Sequence, residues 1–298
     1  MTRCSRERRR LLLIGLLLAD LGSLAGCVTD PQARWQGPFF FIQMADPQLG
    51  MFSGDKDVEK ETSLFSQAID HANRLRPAFV VICGDLINRP GDEGQTAEFL
   101  RVANRLDRSI PLYLVSGNHD VDNTPTPAGL ERYRQRFGPD WYVFHHGGCR
   151  FVVINTTVIH NPSKAVEEMQ RQEAWLKNEL TDPQQPRPVH RIVFQHHPWF
   201  IQTADEPDVY ENIPLSRRSQ YLDWLTQADV SAVFCGHRHG DSTARHGRME
   251  IVSTGPIGKP LRKDPSGLRI VEVYRDRLVH RYYPVDAVPE KVCLAGRE

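Results

Sequence analysis

The sequence predicts an α/β protein, a four-layer α/β/β/α sandwich of two mixed sheets flanked by helices. Short apolar runs alternate with amphipathic stretches from residue 39 to about residue 234, the signature of βαβ units. Past residue 240 the pattern turns all-β, which calls for a second sheet. Residues able to carry chemistry gather where the apolar runs end, and in open α/β sheets that is where ligands bind.

In order along the chain, residues 39–44 are a near-continuous apolar run, as in a strand buried on both faces. Residues 57–75 space Leu64, Phe65, Ala68, Ile69, Ala72 and Leu75 as one helix face and stop before Pro77. A strand at 78–83, a helix at 95–108 and a strand at 110–115 follow. Residues 121–148, with three prolines and many polar groups, read as a long loop-rich excursion. Strand 151–155, helix 164–180, strand 191–194, helix 216–227 and strand 230–234 complete the alternation. Further strands are expected at 249–253, 268–274 and 278–283. No repeat or internal linker divides the chain, so residues 39–298 are expected to form one domain.

The 298 residues, 25% of them charged, suffice for a globular core, and a net charge of zero argues against nucleic-acid binding by general electrostatics. The charge is uneven. Residues 1–26 hold five arginines (Arg3, Arg6, Arg8, Arg9, Arg10) against Glu7 and Asp20. Taking these from 37 and 37 leaves 32 basic and 35 acidic residues, a weakly acidic remainder.

That basic head precedes the apolar run 11–19, the length of a signal h-region and too short to span a bilayer. Leu24-Ala25-Gly26-Cys27 resembles the bacterial lipobox, which makes Cys27 the expected acylation site and mature N-terminus. Residues 1–26 are then a signal peptide and 27–38 a tether holding the protein at a membrane outside the cytoplasm. Val28 after the cysteine directs it to the outer membrane if the cell is Gram-negative. Arg8-Arg9 leaves Sec and twin-arginine export both open. Four cysteines remain beyond Cys27; Cys83 and Cys235 read as buried thiols, with a disulfide as the alternative.

Five short segments end apolar runs: Asp46-Pro47-Gln48, Gly84-Asp85, Gly117-Asn118-His119-Asp120, Gln195-His196-His197-Pro198 and Gly236-His237-Arg238-His239. Alone, Gly-Asp is turn chemistry and His-x-His is ambiguous. In this order they supply seven ligands, enough for two metal ions sharing one carboxylate. Such a site serves phosphoester hydrolysis, in which the phosphoryl oxygens repel an incoming nucleophile. Two cations roughly 4 Å apart neutralise those oxygens and activate a water. Mn, Fe or Zn suit a mixed carboxylate and imidazole shell.

The five motifs, their order and their strand-end placement resemble the calcineurin-like metallophosphoesterase superfamily over residues 39 to about 284. The similarity is closest to a Ser/Thr protein phosphatase branch. It is carried by Ala45-Asp46-Pro47-Gln48, Val115-Ser116-Gly117-Asn118-His119-Asp120, Val193-Phe194-Gln195-His196, Asp264-Pro265-Ser266-Gly267-Leu268-Arg269 and His280-Arg281-Tyr282-Tyr283. The resemblance implies the metallophosphoesterase fold, with Asp85 bridging the metals. Asp46 and His239 would hold the first metal; Asn118, His196 and His237 would hold the second. His119 would be the catalytic acid and Asp120 its orienting neighbour, while His197 stands beside the site rather than in it.

Two departures stand out. Gln48 occupies the position where the superfamily has histidine. It either ligates the first metal through a harder amide oxygen, favouring Mn or Mg, or leaves a position open to water. Asn88, in Gly84-Asp85-Leu86-Ile87-Asn88-Arg89, replaces a carboxylate that would support the catalytic imidazole. Arg89, Arg217 and Arg262, with Arg269, are candidate phosphate contacts on the surrounding loops.

The expected activity is hydrolysis of phosphomonoesters, extended by resemblance to phosphoproteins. A phosphodiesterase and a non-catalytic metal-binding surface lipoprotein are the alternatives.

Overall fold

The computed structural model describes residues 34–181 and 187–295. Strand β1 (Phe39–Met44) leads to helix α1 (Glu59–Leu75), β2 (Val80–Cys83), α2 (Glu93–Ala103) and β3 (Leu112–Val115). Then come α3 (Asn118–Val121), α4 (Pro127–Phe137), β4 (Tyr142–His146), β5 (Cys149–Val153), α5 (Thr156–His160), α6 (Val166–Thr181) and β6 (Arg191–Phe194). Helix α7 (Leu215–Gln227), β7 (Val230–Cys235), β8 (Ser242–His246), β9 (Met249–Ser253), β10 (Gly267–Val273) and β11 (Leu278–Pro284) complete the chain.

The strands form a five-stranded sheet, ordered β11-β10-β1-β2-β3, and a six-stranded sheet, ordered β4-β5-β6-β7-β9-β8. Both are mixed: β1, β2 and β3 run parallel, as do β5, β6, β7 and β9, while β10, β11, β4 and β8 pair antiparallel at the edges. The expected sandwich of two mixed sheets flanked by helices is thus the observed architecture.

Its core follows from the period of two along each strand. In β1, Phe39 and Phe41 join Phe79, Phe151, Phe194 and Phe234 in one buried cluster, while Phe40, Ile42 and Met44 join a second that includes the helix residues Phe65, Ile69 and Phe99. Phe41 stacks on Phe79 at 4.8 Å and meets Phe194 edge-on at 5.6 Å. The first cluster lies between the sheets, the second beneath the helices.

The chain departs from expectation at residues 121–148. Pro127 begins α4 rather than breaking it, because an N–H at N1 has no intrahelical acceptor and its absence costs no bond, and the Thr126 side chain accepts the N–H of Gly129. β4 then turns back into β5 through Gly147-Gly148, whose φ values of +56° and +81° suit a tight hairpin that only glycine adopts easily. β8 was likewise not expected; its side chains alternate between half-buried and exposed, as on an edge strand. The helix expected at 95–108 begins at Glu93, with the Asp92 side chain accepting from Gln95, and ends at Ala103.

Cys83 and Cys235 are buried free thiols, Cys149 is also free and buried, and Cys293 is free and exposed. Cys27 and the signal segment lie outside the described residues. Trp35, from the expected tether, packs at 6.4 Å from Phe39.

Candidate metal centre

The five motifs converge where parallel strands of both sheets end. β1 delivers Asp46 and Gln48, β2 delivers Asp85, and β3 delivers Asn118 and His119. The other sheet supplies His196 after β6 and His237 and His239 after β7. The loops lock together through their backbones. Asp46 N–H donates to Gly84 at 3.1 Å, Gln48 N–H to Asp85 at 2.8 Å and Gly236 N–H to His196 at 3.1 Å. Asp46, Gln48, Asp85, His237 and His239 all take left-handed backbone, with φ from +39° to +67°. Such strain in residues other than glycine concentrates at functional sites.

Each histidine in the set spends one ring nitrogen on a backbone carbonyl. His196 Nδ1 donates to Cys83 at 2.9 Å and His237 Nε2 to Tyr210 at 3.1 Å. His239 Nδ1 donates to Lys259 at 2.6 Å and His119 Nδ1 to Asn88 at 2.7 Å. A carbonyl cannot donate, so these bonds fix which nitrogen bears the hydrogen whenever a ring is neutral, and turn the other nitrogen inward. His196 Nε2 lies 2.9 Å from Asn118 Oδ1, 3.3 Å from Asp85 Oδ2 and 3.1 Å from His237 Nδ1. His239 Nε2 lies 3.9 Å from Asp46 Oδ1.

With the rings neutral, lone pairs face lone pairs, an arrangement that a proton on His196 or a metal cation relieves. Gln48 fits the same pattern: its Oε1 is buried without a protein partner, while its Nε2 donates to Asn88 Oδ1 at 3.1 Å. Ligand atoms of Asp46, Asp85 and His239 gather within 4.8 Å of one another, as do those of His196, His197 and His237.

Among the described residues, the ion partners of Asp46 and Asp85 are histidines alone. Burial, reinforced by Asp85, raises the Asp46 carboxyl well above the usual range. Burial would raise Asp85 too, but the surrounding histidines outweigh it and hold its pKa low. Burial and then Asp85 push Asp120 up to about 8. For His196 burial opposes the charge, yet Asp85 and Asp46 overcome it and lift the ring to about 9. Burial, with His196 beside it, depresses His237 to about 3. These shifts describe a buried, carboxylate-rich site short of positive charge.

The remaining expected residues are placed as follows. His119 is half-buried, and its backbone N–H donates to Asp85 Oδ1 at 2.8 Å. Asp120 does not orient that ring. Its carboxylate accepts the N–H groups of Leu86 at 2.8 Å, Ile87 at 3.3 Å and Gly117 at 2.7 Å, tying the Asp85 loop to the Asn118 loop. Asn88 supports His119, but through its main-chain carbonyl. His197, expected beside the site, lies tilted against His237 at 4.1 Å and stacks on His160 at 4.8 Å, with Nδ1 3.3 Å from the Thr156 hydroxyl.

Arg89 pairs with Asp55 and Asp92, and Arg217 lies against Met169. Arg262 pairs with Glu211 and lines an open groove of about 650 Å³ with Arg238 and Lys263. Arg269 is buried, held by Thr254, His280 and Asp241. Tyr210 gains a role that no motif signalled. Besides its carbonyl on His237, its hydroxyl accepts from Asn118 Nδ2 at 3.1 Å. The anchoring carbonyls of Cys83, Asn88, Tyr210 and Lys259 are backbone groups and leave no mark in a sequence.

The profile of a family described as calcineurin-like phosphoesterase matches residues 28–241. The chain is 39% identical over 285 residues to serine/threonine-protein phosphatase CPPED1 of Homo sapiens, covering 90% of this chain and 91% of that one. The protein of the same name from Danio rerio is 36% identical over 284 residues, covering 90% and 92%. Among solved structures, a dimetal phosphatase from Danio rerio superposes with a TM-score of 0.60 at 18% identity, covering 83% of this chain and 96% of that one.

Proposed function

Because the chain belongs to the calcineurin-like phosphoesterase family and is a metal-dependent phosphatase, we propose that it hydrolyses phosphomonoesters at a pair of metal ions. Phosphorylated serine and threonine side chains are the substrate class suggested by the relatives' name. The observation that carries this reading is the convergence of imidazole nitrogens not committed to the backbone, carboxylates and an orphaned amide oxygen at one buried point. Asp46, Gln48, Asp85 and His239 would hold the first ion, and Asp85, Asn118, His196 and His237 the second. When bound, two such cations supply charge against the phosphoryl oxygens and acidify a water. The mixed donor set suits Mn, Fe or Zn, and elemental analysis of protein purified without added metal would identify the pair.

His119 supplies the proton chemistry. Its Nδ1–H is committed to the Asn88 carbonyl, so Nε2 is the atom that carries a proton and releases it to the leaving alkoxide oxygen. Its N–H bond to Asp85 ties that proton to the shared carboxylate's position. Arg89, Arg217 and Arg262 remain proposed phosphate contacts; Arg89 and Arg262 would exchange a carboxylate partner for the phosphate. With Mn2+ added, p-nitrophenyl phosphate should turn over faster than bis-p-nitrophenyl phosphate. The reverse preference overturns the monoesterase reading, and inert phosphoserine and phosphothreonine peptides remove its protein-phosphatase extension.

We propose further that the protein is exported and acylated at Cys27. The arginine-rich head, the apolar run 11–19 and the Leu24-Ala25-Gly26-Cys27 sequence support this. Among the described residues, no helix is long and apolar enough to cross a membrane. Cys27→Ser should shift the protein from the membrane fraction to the soluble one; retention in the membrane fraction overturns the assignment.

A further inference from the structure

The two departures from the family pattern, Gln48 and Asn88, touch each other, and behind them stands a third residue. Gln48 Nε2 donates to Asn88 Oδ1 at 3.1 Å, and Asn88 Nδ2 donates to Asp55 Oδ1 at 2.8 Å. Gln95 Nε2 reaches the same Asp55 oxygen at 2.7 Å, because its Oε1 already accepts the backbone N–H groups of Asn88 at 3.0 Å and Arg89 at 2.8 Å. Arg89 closes the far side of the carboxylate, 3.3 Å from Asp55 Oδ2.

A primary amide has a donor end and an acceptor end of nearly identical shape, so its neighbours decide which way it points. An ionised carboxylate only accepts. Asp55 therefore draws the amino end of Asn88 and leaves the Asn88 oxygen facing Gln48. That oxygen in turn takes the amino end of Gln48. The Gln48 oxygen is what remains: it is buried, with no protein partner, on a residue 1% exposed and two positions from Asp46. A buried acceptor left without a partner is destabilising, and a cation beside it removes that penalty.

We propose that Asp55, acting through Asn88, sets the amide orientation of Gln48 so that its oxygen faces the first metal. Asp55 and Asn88 are then positioning residues for that ion; this rests on Gln48 being one of its ligands. The family's imidazole needs no such relay, because a carbonyl can fix its tautomer directly. Gln48 and Asn88 thus form one coupled exchange rather than two independent losses. An amide oxygen is also a harder donor than imidazole, so the first position favours Mn2+ over Zn2+ more strongly than a Gln48→His variant does.

The test is metal affinity, read by calorimetry. Protein stripped with a chelator and dialysed is titrated with MnCl2, and thermal melts confirm that each variant is folded. Wild-type protein should show two binding events. Asp55→Asn, whose amide accommodates either orientation of the relay, should weaken one event by roughly 10- to 100-fold and leave the other in place. With Gln48→Ala already present, the same substitution should cost nothing further. Exchanging the pair, Asp55→Asn together with Asn88→Asp, puts the acceptor-only group at 88 and should restore Mn2+ affinity. Two wild-type sites indifferent to Asp55→Asn overturn the relay alone. So does an equal cost with and without Gln48, since Asp55 would then merely brace its loop. A wild-type protein that takes up no Mn2+ overturns the dinuclear reading and the relay with it.

Discussion

His196 and His237 present their inner nitrogens to each other, Nε2 to Nδ1, at 3.1 Å, while the outer nitrogens are held by the carbonyls of Cys83 and Tyr210. With both rings neutral, lone pair faces lone pair, an arrangement relieved by a proton on His196 or by a metal cation between them. Chelator treatment should therefore lower the melting temperature by several degrees, with divalent metal restoring it in proportion to the logarithm of its concentration. Differential scanning fluorimetry measures this, and a melting temperature indifferent to chelator would contradict it.

His119 and Asp85 should separate chemistry from binding. His119→Ala should lower kcat by about 100- to 10,000-fold while elemental analysis still finds the full complement of metal. Asp85→Asn should lose both activity and metal, because it removes the shared carboxylate. Equal metal loss in the two variants would show that His119 acts as a ligand instead.

Gly117 packs against Asp85 with no room to spare. A Cβ there would lie 2.1 Å from Asp85 Oδ1 and 2.2 Å from its backbone nitrogen. Its φ of −107° is open to any residue, so the demand for glycine is steric rather than conformational. Gly117→Ala should displace the carboxylate by a sizeable fraction of an ångström and cut turnover by roughly 100-fold. Wild-type kinetics in that variant would refute the packing argument.

Arg134 on α4 clamps two buried acids away from the metals. Its Nε and Nη2 bond Asp140 at 2.7 and 3.3 Å, and Nη2 bonds Glu168 on α6 at 2.8 Å. The Asp140 side chain is 3% exposed and that of Glu168 9%. Arg134→Met leaves Asp140 without an ionic partner and Glu168 with Arg171 alone, and should cost about 3 kcal/mol of unfolding free energy. A loss under 1 kcal/mol in urea titrations would mean that the cluster contributes little.

The same cluster sets a pH dependence. Burial alone would raise the Glu168 carboxyl, but Arg134 and Arg171 outweigh it and hold its pKa below the ordinary value. A depressed carboxylate stabilises the fold fully above its unfolded pKa of about 4.3, and the contribution fades as pH falls through the folded value. The stability gap between wild type and Glu168→Gln should accordingly be constant from pH 7 to about 5.5 and close below pH 4. A gap that widens on acidification would reverse the sign and refute the assignment.

The candidate ligands were legible because each motif ends a short apolar run, and the parallel pairing of β1, β2 and β3 and of β6 and β7 gathers such ends. Helix α4 was hidden because Pro127 reads as a breaker until its N1 position is known, and β4 because its pattern is interrupted by polar residues. The hairpin signal at Gly147-Gly148 was present in the sequence and would have found β4.

What the sequence determined by itself is the chemistry available: which side chains stand at strand ends, and that a glutamine and an asparagine replace the family's histidine and aspartate. Tertiary structure alone decided how those groups face. The tautomers of His119, His196, His237 and His239 depend on carbonyls of Asn88, Cys83, Tyr210 and Lys259, and the amide of Gln48 depends on Asn88. The reason is physical. Residue type fixes what a side chain can donate or accept, but its direction is set by whichever fixed acceptor lies within about 3 Å, and three-dimensional packing brings those acceptors in from distant segments.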